Sequence, residues 1–316
     1  MKLLIAYDGS RCSEAALDDL VRAGIPDNAE CRVISVAEVW LPPNGHRKTD
    51  DTEEITGIHL GTHYEKLIRE RYAQDEMVIA EALAFAHHAK HRLEKMFPAW
   101  KIEAEATYRS PAWAILETAE DYSPDLIVVG SQGRTALGRF VLGSISQKVL
   151  TEASCSVRVS RGRIEVDPVP SRIVIGFDGS SGAEAAVAAV ASRSWREFSE
   201  VRLVSVVDDG MPAEIGRFTD PEVLHSKEYS SVQHKWMEQR ADAVLANLES
   251  HGIPTTLCVC SGTAKEVIVR ESERWNADSI FIGANSPGSK LSRFLLGSTA
   301  SAIAARAHCS VEVVRA

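Results

Sequence analysis

The hydrophobic positions of the chain fall into short apolar runs separated by longer amphipathic segments. Residues 2–7 and 125–129 are nearly continuous apolar runs, which is typical of strands buried on both faces of a sheet. Residues 101–108 instead alternate apolar and polar side chains, as a strand with one exposed face does. Residues 13–23 and 76–96 follow the spacing of helices. The chain is therefore expected to alternate strands with helices.

The complete pattern predicts an α/β fold. Strict alternation of strands and helices is typical of a mostly parallel sheet with helices on both faces. We predict two tandem, doubly wound parallel sheets of five strands, each in the order 3-2-1-4-5. The other predicted elements are helices at 112–121 and 144–152 and strands at 31–37, 156–160, 172–177, 202–207, 255–259, 278–282 and 311–314.

The two halves of the chain carry matching segments. Residues 5–10 (IAYDGS) return at 175–180 (IGFDGS), an offset of 170 residues. Residues 139–144 (RFVLGS) return at 293–298 (RFLLGS), an offset of 154 residues. Because the matches keep their order, the chain is a duplicated domain whose second copy is 16 residues shorter in its middle.

A joint that contains Pro168 and Pro170 separates the two copies. We predict one domain over residues 1–163 and a second over residues 164–316. Residues 42–75 carry prolines and an acidic cluster, so a long connection is expected there in the first domain. Connections of that length are usually functional or mobile.

Composition and charge narrow the class of protein. Hydrophobic residues make up 45% and charged residues 25% of the 316 residues, as in ordinary globular proteins. The net charge of −9 disfavours nucleic-acid binding, which depends on positive charge. No apolar run is long enough to span a bilayer, and the first run turns polar too early for a signal peptide. We expect a cytoplasmic protein that binds neither nucleic acid nor membranes.

Two sets of side chains are considered as metal ligands. Cys258 and Cys260 share one face of an apolar predicted strand, which suits buried thiols better than a metal site. His87 and His91 lie one helical turn apart, but no third ligand is evident, so a solvated helix face is favoured. No arrangement of a nucleophile and a base stands out, and no catalytic residue is predicted. The six cysteines, expected to be reduced and structural, are Cys12, Cys31, Cys155, Cys258, Cys260 and Cys309.

A glycine-rich loop follows the fourth predicted strand of the first half. It starts with Gly130 and Gly133 and ends at Gly143-Ser144, where a helix is predicted to begin. Glycine lets a ligand approach backbone N–H groups closely, and a helix N-terminus adds further free N–H groups. The loop therefore suits a polyphosphate chain, while two tight turns without a ligand are the alternative. Its spacing matches neither the dinucleotide fingerprint nor the P-loop.

Asp8 and Val36 end the first and second predicted strands. In a doubly wound sheet, ligands bind beyond the carboxyl ends of the strands, where the winding reverses between strands one and four. Asp8 and the glycine loop are therefore expected to meet at one crevice. A carboxylate there can accept from a ribose hydroxyl or an adenine amino group; the alternative is that Asp8 caps the following helix. The backbone at Val36 would border the same crevice and read an adenine edge.

The spacing Gly130-x-x-Gly133, nine residues, Gly143-Ser144 resembles the ATP-binding signature of the universal stress protein family, and the resemblance covers nearly the whole chain twice. It implies an adenine nucleotide (ATP, AMP or ADP), often with Mg²⁺ or Mn²⁺ on its phosphates. It implies that Asp8 contacts the nucleoside and that the glycines and Ser144 hold ribose and phosphates. The site residues implied by the match are Ala6, Tyr7, Asp8, Val36, Gly130, Ser131, Gln132, Gly133, Gly143, Ser144 and Ile145.

The second copy departs from this signature. Ser286 and Pro287 stand where the second glycine belongs, and one residue is inserted before Gly297. Proline has no N–H to offer a phosphate. We therefore predict a strong site in the first domain and a weak or empty one in the second. The counterparts retained there are Asp178, Val206, Gly283, Gly297 and Ser298.

The resemblance also implies that last strands pair, as they do in dimers of the family. In a tandem chain, Val157–Val159 and Val311–Val313 are expected to pair within one molecule. Such an intramolecular pseudo-dimer would protect two open sheet edges. A further homodimer and an unidentified protein partner remain open.

Three functions are weighed. The favoured one is an ATP-binding stress-response or signalling protein, switched by nucleotide occupancy of its N-terminal domain. The alternatives are a slow ATPase or phosphotransfer enzyme, and an interaction module without nucleotide. The intact loop of the first half favours the first two, and the lack of an evident catalytic base favours the switch over the enzyme.

Overall fold

The computed structural model describes residues 1–39, 62–132, 142–161, 169–207, 227–284 and 296–315. Within these residues, no helix combines the length and the apolar character that crossing a membrane requires.

In this part of the chain, ten strands form one sheet. The strands of the first half are β1 (Lys2–Ala6), β2 (Glu30–Ala37), β3 (Lys101–Tyr108), β4 (Leu126–Gly130) and β5 (Ser156–Ser160). Those of the second half are β6 (Arg172–Gly176), β7 (Glu200–Val207), β8 (Thr255–Ser261), β9 (Ser279–Gly283) and β10 (Ser310–Val314).

The helices lie between the strands, as the alternating pattern predicts. Those of the first half are α1 (Arg11–Asp19), α2 (Thr62–Met96), α3 (Pro111–Tyr122) and α4 (Ser144–Glu152). Those of the second half are α5 (Ser181–Ala191), α6 (Lys227–Ser250), α7 (Ala264–Arg274) and α8 (Ser298–Arg306). A short 3-10 turn over Leu20–Arg22 follows α1, so the predicted helix over 13–23 is divided between two elements.

The strand order is β3-β2-β1-β4-β5-β10-β9-β6-β7-β8. Each half thus has the order 3-2-1-4-5, and the predicted α/β fold class is confirmed. All neighbouring strands are parallel except β5 and β10, which pair antiparallel at the centre. In that pair Val159 lies opposite Val311, Arg158 opposite Glu312 and Val157 opposite Val313. The two halves therefore share one continuous sheet.

The apolar core is organised differently on the two faces of this sheet. On one face, α3, α4, α7 and α8 pack on a single hydrophobic cluster that includes Val157, Val159, Val311 and Val313 and runs through both halves. On the other face, α1 and α2 cover one cluster and α5 and α6 cover another. The helices on both faces explain why Leu3, Leu4 and Ile5 of β1 are completely buried.

The predicted long connection over residues 42–75 is wrong in its second part. Helix α2 begins at Thr62 and runs through residue 75, and residues 42–61 lie outside the described residues. The sequence carries Tyr64, Leu67, Ile68 and Tyr72 at helical spacing, so the start of this helix is readable in the sequence and the prediction overlooked it. Tyr72 and Asp75 are buried, and Arg71 pairs with Asp75 one turn away at 3.4 Å.

Candidate functional site

A pocket of about 440 Å³ opens at the carboxyl ends of β1, β2 and β4 in the first half. This is the edge of the sheet where ligands bind in doubly wound folds, because the connections of β1 and β4 leave toward opposite faces. The described lining includes nine of the eleven implied site residues: Ala6, Tyr7, Asp8, Val36, Gly130, Gln132, Gly143, Ser144 and Ile145.

The other two implied residues are placed differently. Ser131 is not among the described lining residues, and its Oγ lies 3.9 Å from Cys12 Sγ at the start of α1. Gly133 lies outside the described residues, so its part in the site stays a prediction.

The turn after β1 presents the Asp8 carboxylate at the pocket. Ser10, not Asp8, is the N-cap of α1, because Ser10 Oγ accepts from the Ser13 N–H at 3.2 Å. Asp8 Oδ1 accepts from the Ser10 N–H at 3.0 Å, which fixes the carboxylate beside the pocket. The second half repeats this turn, with Asp178 Oδ1 accepting from the Ser180 N–H at 2.9 Å.

The two ends of the glycine loop are held together below the pocket. The Gly143 N–H donates to the Ser131 carbonyl at 2.8 Å, and Ser146 Oγ donates to the Gly130 carbonyl at 2.7 Å. Gly130 is needed for close packing, since a β-carbon there would lie 2.9 Å from the backbone of Cys12. The first turn of α4, which begins at Ser144, has N–H groups without intrahelical partners, and its residues line the pocket. The site therefore offers backbone donors to an anionic ligand.

Helix α2 forms a wall of the pocket that the sequence analysis missed. Val78, Glu81, Ala82 and Phe85 line the pocket from this helix. Their spacing of three, four and seven residues places them on one helix face, and this spacing is readable in the sequence. What the spacing does not reveal is that this face meets the crevice.

A polar network fastens α2 to α1 beside this wall. The Tyr7 hydroxyl donates to Glu14, and Arg92 of α2 pairs with Glu14. Arg92 Nη2 also lies 2.5 Å from Asp18 Oδ1. Burial raises the pKa of the Asp18 carboxyl. The network holds α2 in register with α1, and thereby fixes the pocket-lining face of α2.

The charge of the pocket is negative. Its described lining contains the carboxylates of Asp8, Glu38 and Glu81 and no lysine or arginine. An anionic ligand would therefore rely on backbone N–H groups and on a counter-ion that it brings with it.

The matching crevice of the second half is much smaller, at about 90 Å³. Asp178, Val206, Gly283 and Gly297 line it, whereas Ser298 is not among its described lining residues. Ile268 and Ile282 also line it, as Ile115 and Val129 line the first pocket. A β-carbon on Gly283 would lie only 2.4 Å from the Gly182 backbone. Ser286 and Pro287 lie outside the described residues.

Within the described residues, no group of three or more histidine, cysteine or acidic side chains is placed to bind a metal ion. His91 is well exposed, and its Nδ1 lies 4.0 Å from Glu94 Oε2. All six cysteines are free thiols, and the sulfurs of Cys258 and Cys260 lie 3.2 Å apart.

Several known proteins are similar to this chain in sequence or in fold. Universal stress protein YxiE of Bacillus subtilis is 31% identical over 163 residues, which span 51% of this chain and 98% of that protein. Universal stress protein Mb2028c of Mycobacterium bovis is 25% identical over 250 residues, which span 77% of this chain and 78% of that protein. A universal stress protein structure from Archaeoglobus fulgidus covers 99% of this chain and 98% of its own, with a TM-score of 0.58 and 20% identity, and shows the shared fold.

The family model described as the universal stress protein family matches this chain twice, over residues 1–161 and 170–315. The two matches coincide with the two halves of the sheet and with the internal repeat. The chain therefore belongs to the universal stress protein family, as a tandem of two family domains.

Proposed function

We propose that the first half of this protein binds one adenine nucleotide and that occupancy of this site switches the protein in a stress-response or signalling role. The observation that carries the proposal is the 440 Å³ pocket, which brings Asp8, Val36 and both ends of the glycine loop to one crevice. Family membership supports the same ligand.

The pocket suggests how the nucleotide lies. The end of β2 at Val36 and the α2 side chains Val78 and Phe85 offer an apolar wall for adenine. The Asp8 carboxylate, which lines the pocket, would accept from a ribose hydroxyl. The phosphates would then reach the first turn of α4 at Ser144, where free N–H groups and the helix dipole favour negative charge.

A divalent cation on the phosphates fits the charge of this pocket. The described lining carries the three carboxylates of Asp8, Glu38 and Glu81 and no basic side chain. Mg²⁺ and Mn²⁺ prefer oxygen ligands, so the carboxylate nearest the phosphates would help to hold the ion. The cation would reduce the repulsion between these carboxylates and a triphosphate.

The second half is proposed to hold no nucleotide. Its crevice of about 90 Å³ is roughly a fifth of the first, and its described lining contains no residue of α6, whereas α2 lines the first pocket. The chain then acts as an intramolecular pseudo-dimer, in which the second domain completes the sheet and the first carries the ligand.

The test is a titration calorimetry experiment with ATP and Mg²⁺, repeated with ADP and AMP. We expect one site per chain. Asp8→Asn keeps the acceptor for the Ser10 N–H but removes the charge, so it should weaken binding about tenfold through loss of a charge-assisted hydrogen bond. Asp178→Asn is the matched control in the second half and should bind like the unmodified protein. Two equal sites, or equal losses in both variants, would contradict the proposal.

Phosphate release separates the switch from a slow ATPase. Steady release that is lost in Asp8→Asn would support the enzyme, whereas binding without turnover supports the switch. Hydrogen exchange with and without nucleotide reports the switch itself, and we expect slower exchange in the pocket-lining turns of α2 when nucleotide is bound. If neither the unmodified protein nor the variants bind nucleotide, the remaining function is an interaction module without nucleotide.

A further inference from the structure

Four charged side chains are buried where the two halves meet. Arg158 of β5 and Glu312 of β10 are 0% and 1% exposed. Asp19 at the end of α1 and Arg193 after α5 flank them and are nearly as well buried. They lie on the face of the sheet where each half has its own hydrophobic cluster. The cluster that both halves share, which includes Val157, Val159, Val311 and Val313, lies on the opposite face.

The repeat places Arg158 and Glu312 at equivalent positions, since they are 154 residues apart, the offset that relates the ends of the two copies. The antiparallel register also sets them opposite each other. The approximate twofold axis of the junction therefore passes between Arg158 and Glu312. Arg158 Nη1 lies 3.5 Å from Glu312 Oε2 across this axis.

Each of these two residues has a partner in its own half. Arg158 Nε lies 2.7 Å from Asp19 Oδ2, and Arg193 pairs with Glu312. The repeat does not preserve these partners, because at the offset of 170 Ala189 stands where Asp19 does and Ala23 stands where Arg193 does. The two halves thus present opposite charge patterns to the junction.

Two arginines make junction contacts that the repeat preserves, whereas the pair of Arg22 Nη1 and Asp278 Oδ1 at 2.9 Å has no counterpart, because Ser192 stands at the position of Arg22. Arg161 Nη2 donates to the Ala304 carbonyl at 2.6 Å, and its counterpart Arg315 Nη2 donates to the Leu150 carbonyl at 2.5 Å. Each guanidinium thereby satisfies the last turn of a helix in the other half. A pair of two identical halves would keep these contacts, so they do not distinguish one half from the other.

We propose that the four buried charges make the junction surface of each half specific for the opposite half. A pair of two first halves would set Arg158 against Arg158, and a pair of two second halves would set Glu312 against Glu312. Like charges that face each other away from water are strongly unfavourable, whereas the observed pairing alternates positive and negative groups. The proposal is independent of nucleotide binding. It implies that β5 pairs only with β10, whether the two strands belong to one molecule or to two molecules that exchange halves.

The test starts from the full, folded chain, with a protease site introduced between residues 162 and 168 and cut after purification. Cut protein labelled with ¹⁵N is mixed with unlabelled cut protein at the lowest urea concentration at which mixed-label pairs appear in native mass spectra. Mixed labels show that the halves exchange partners. We expect every pair to contain one first half and one second half. Like pairs in amounts comparable to unlike pairs would overturn the proposal.

A variant without the charges identifies their role. It carries Asp19→Asn, Arg158→Met, Arg193→Met and Glu312→Gln, and we expect like pairs to increase at least about tenfold in it. If it still forms only unlike pairs, other contacts choose the partner and the proposal is wrong. A second variant inverts all four charges and keeps their complementarity, so it should pair as the unmodified protein does. Cut inverted protein mixed with cut unmodified protein keeps the test decisive if the neutral variant fails to associate. A first half of one should then pair with a first half of the other, and absence of such pairs would overturn the proposal.

Discussion

The ring of Phe85 in α2 lies so close to Gly9 that a β-carbon at residue 9 would be 2.8 Å from Phe85 Cε1. Gly9 also has a φ of +72°, in the left-handed region that favours glycine. Because Phe85 lines the pocket, this contact joins the turn that carries Asp8 to the wall formed by α2. In the second half Gly179, with a φ of +73°, is contacted by the flexible side chain of Arg240 instead.

Gly9→Ala should therefore affect both stability and ligand binding. The left-handed backbone alone makes an added β-carbon destabilising by about 1–2 kcal/mol. Displacement of Phe85 should in addition lower the affinity for nucleotide. Gly179→Ala is the matched control, because it has the same backbone strain but lies in the second half. Urea unfolding should show similar losses of stability in both variants, and calorimetry should show lower affinity only in Gly9→Ala. Equal affinities would show that Phe85 does not shape the site.

Ser146→Ala tests the bond that holds the two ends of the glycine loop together. Ser146 Oγ donates to the Gly130 carbonyl at 2.7 Å, and loss of one such bond is worth about 1 kcal/mol. The first turn of α4 would then be less well positioned against β4, and we expect about fivefold weaker nucleotide binding. Thr151→Ala removes a side-chain bond to the Gln147 carbonyl later in the same helix and should leave the affinity unchanged. If both variants bind alike, the bond does not organise the site.

Arg158→Met should be among the most destabilising single changes at the junction. It leaves the buried Asp19 carboxylate without its bidentate partner, and an uncompensated buried charge is destabilising by about 3–5 kcal/mol. Arg32→Met is the comparison, because Arg32 pairs with Glu103 at 3.0 Å on the surface, where such pairs contribute about 0–1 kcal/mol. Chemical denaturation followed by circular dichroism measures both. Similar unfolding free energies for the two variants would contradict the importance of the buried cluster.

The fold and most of the pocket could be predicted from local signals. Apolar runs identify the central strands, and the glycine spacing identifies the loop that closes the site. The start of α2 at Thr62 is not among the predicted elements, although Tyr64, Leu67, Ile68 and Tyr72 lie at helical spacing in the sequence. The contribution of Phe85 could not be predicted, because the sequence places it on a helix face without saying what that face meets.

Arg158 shows the same limit at the junction. Val157, Arg158 and Val159 alternate as a strand with one solvent-exposed face does, yet Arg158 is completely buried. Its burial depends on α1 and on the opposite half, which lie far away in the sequence. The residue pattern of one strand does not reveal contacts of this kind.

Cys309 makes stability depend on pH in the alkaline range. Burial raises the pKa of this thiol from its ordinary value of 9.0 to about 12, mainly because a charged thiolate is poorly solvated beside α8. The unfolded chain then loses the proton at lower pH than the folded chain does. The contribution of the protonated thiol to the free energy of unfolding is fully present below pH 9. It is lost as the pH rises toward 12, with a slope of up to about 1.4 kcal/mol per pH unit.

Cys309→Ala removes this thiol and isolates its contribution. We expect the unfolding free energy of the unmodified protein to fall more steeply above pH 9 than that of the variant, even if the variant is less stable at pH 7. Urea titrations at matched pH values give both curves. Other groups also titrate in this range. The effect of the Cys309 thiol is therefore measured by the difference between the two proteins in the slope of unfolding free energy against pH. Parallel curves would mean that the Cys309 thiol ionises as readily in the folded chain as in the unfolded one.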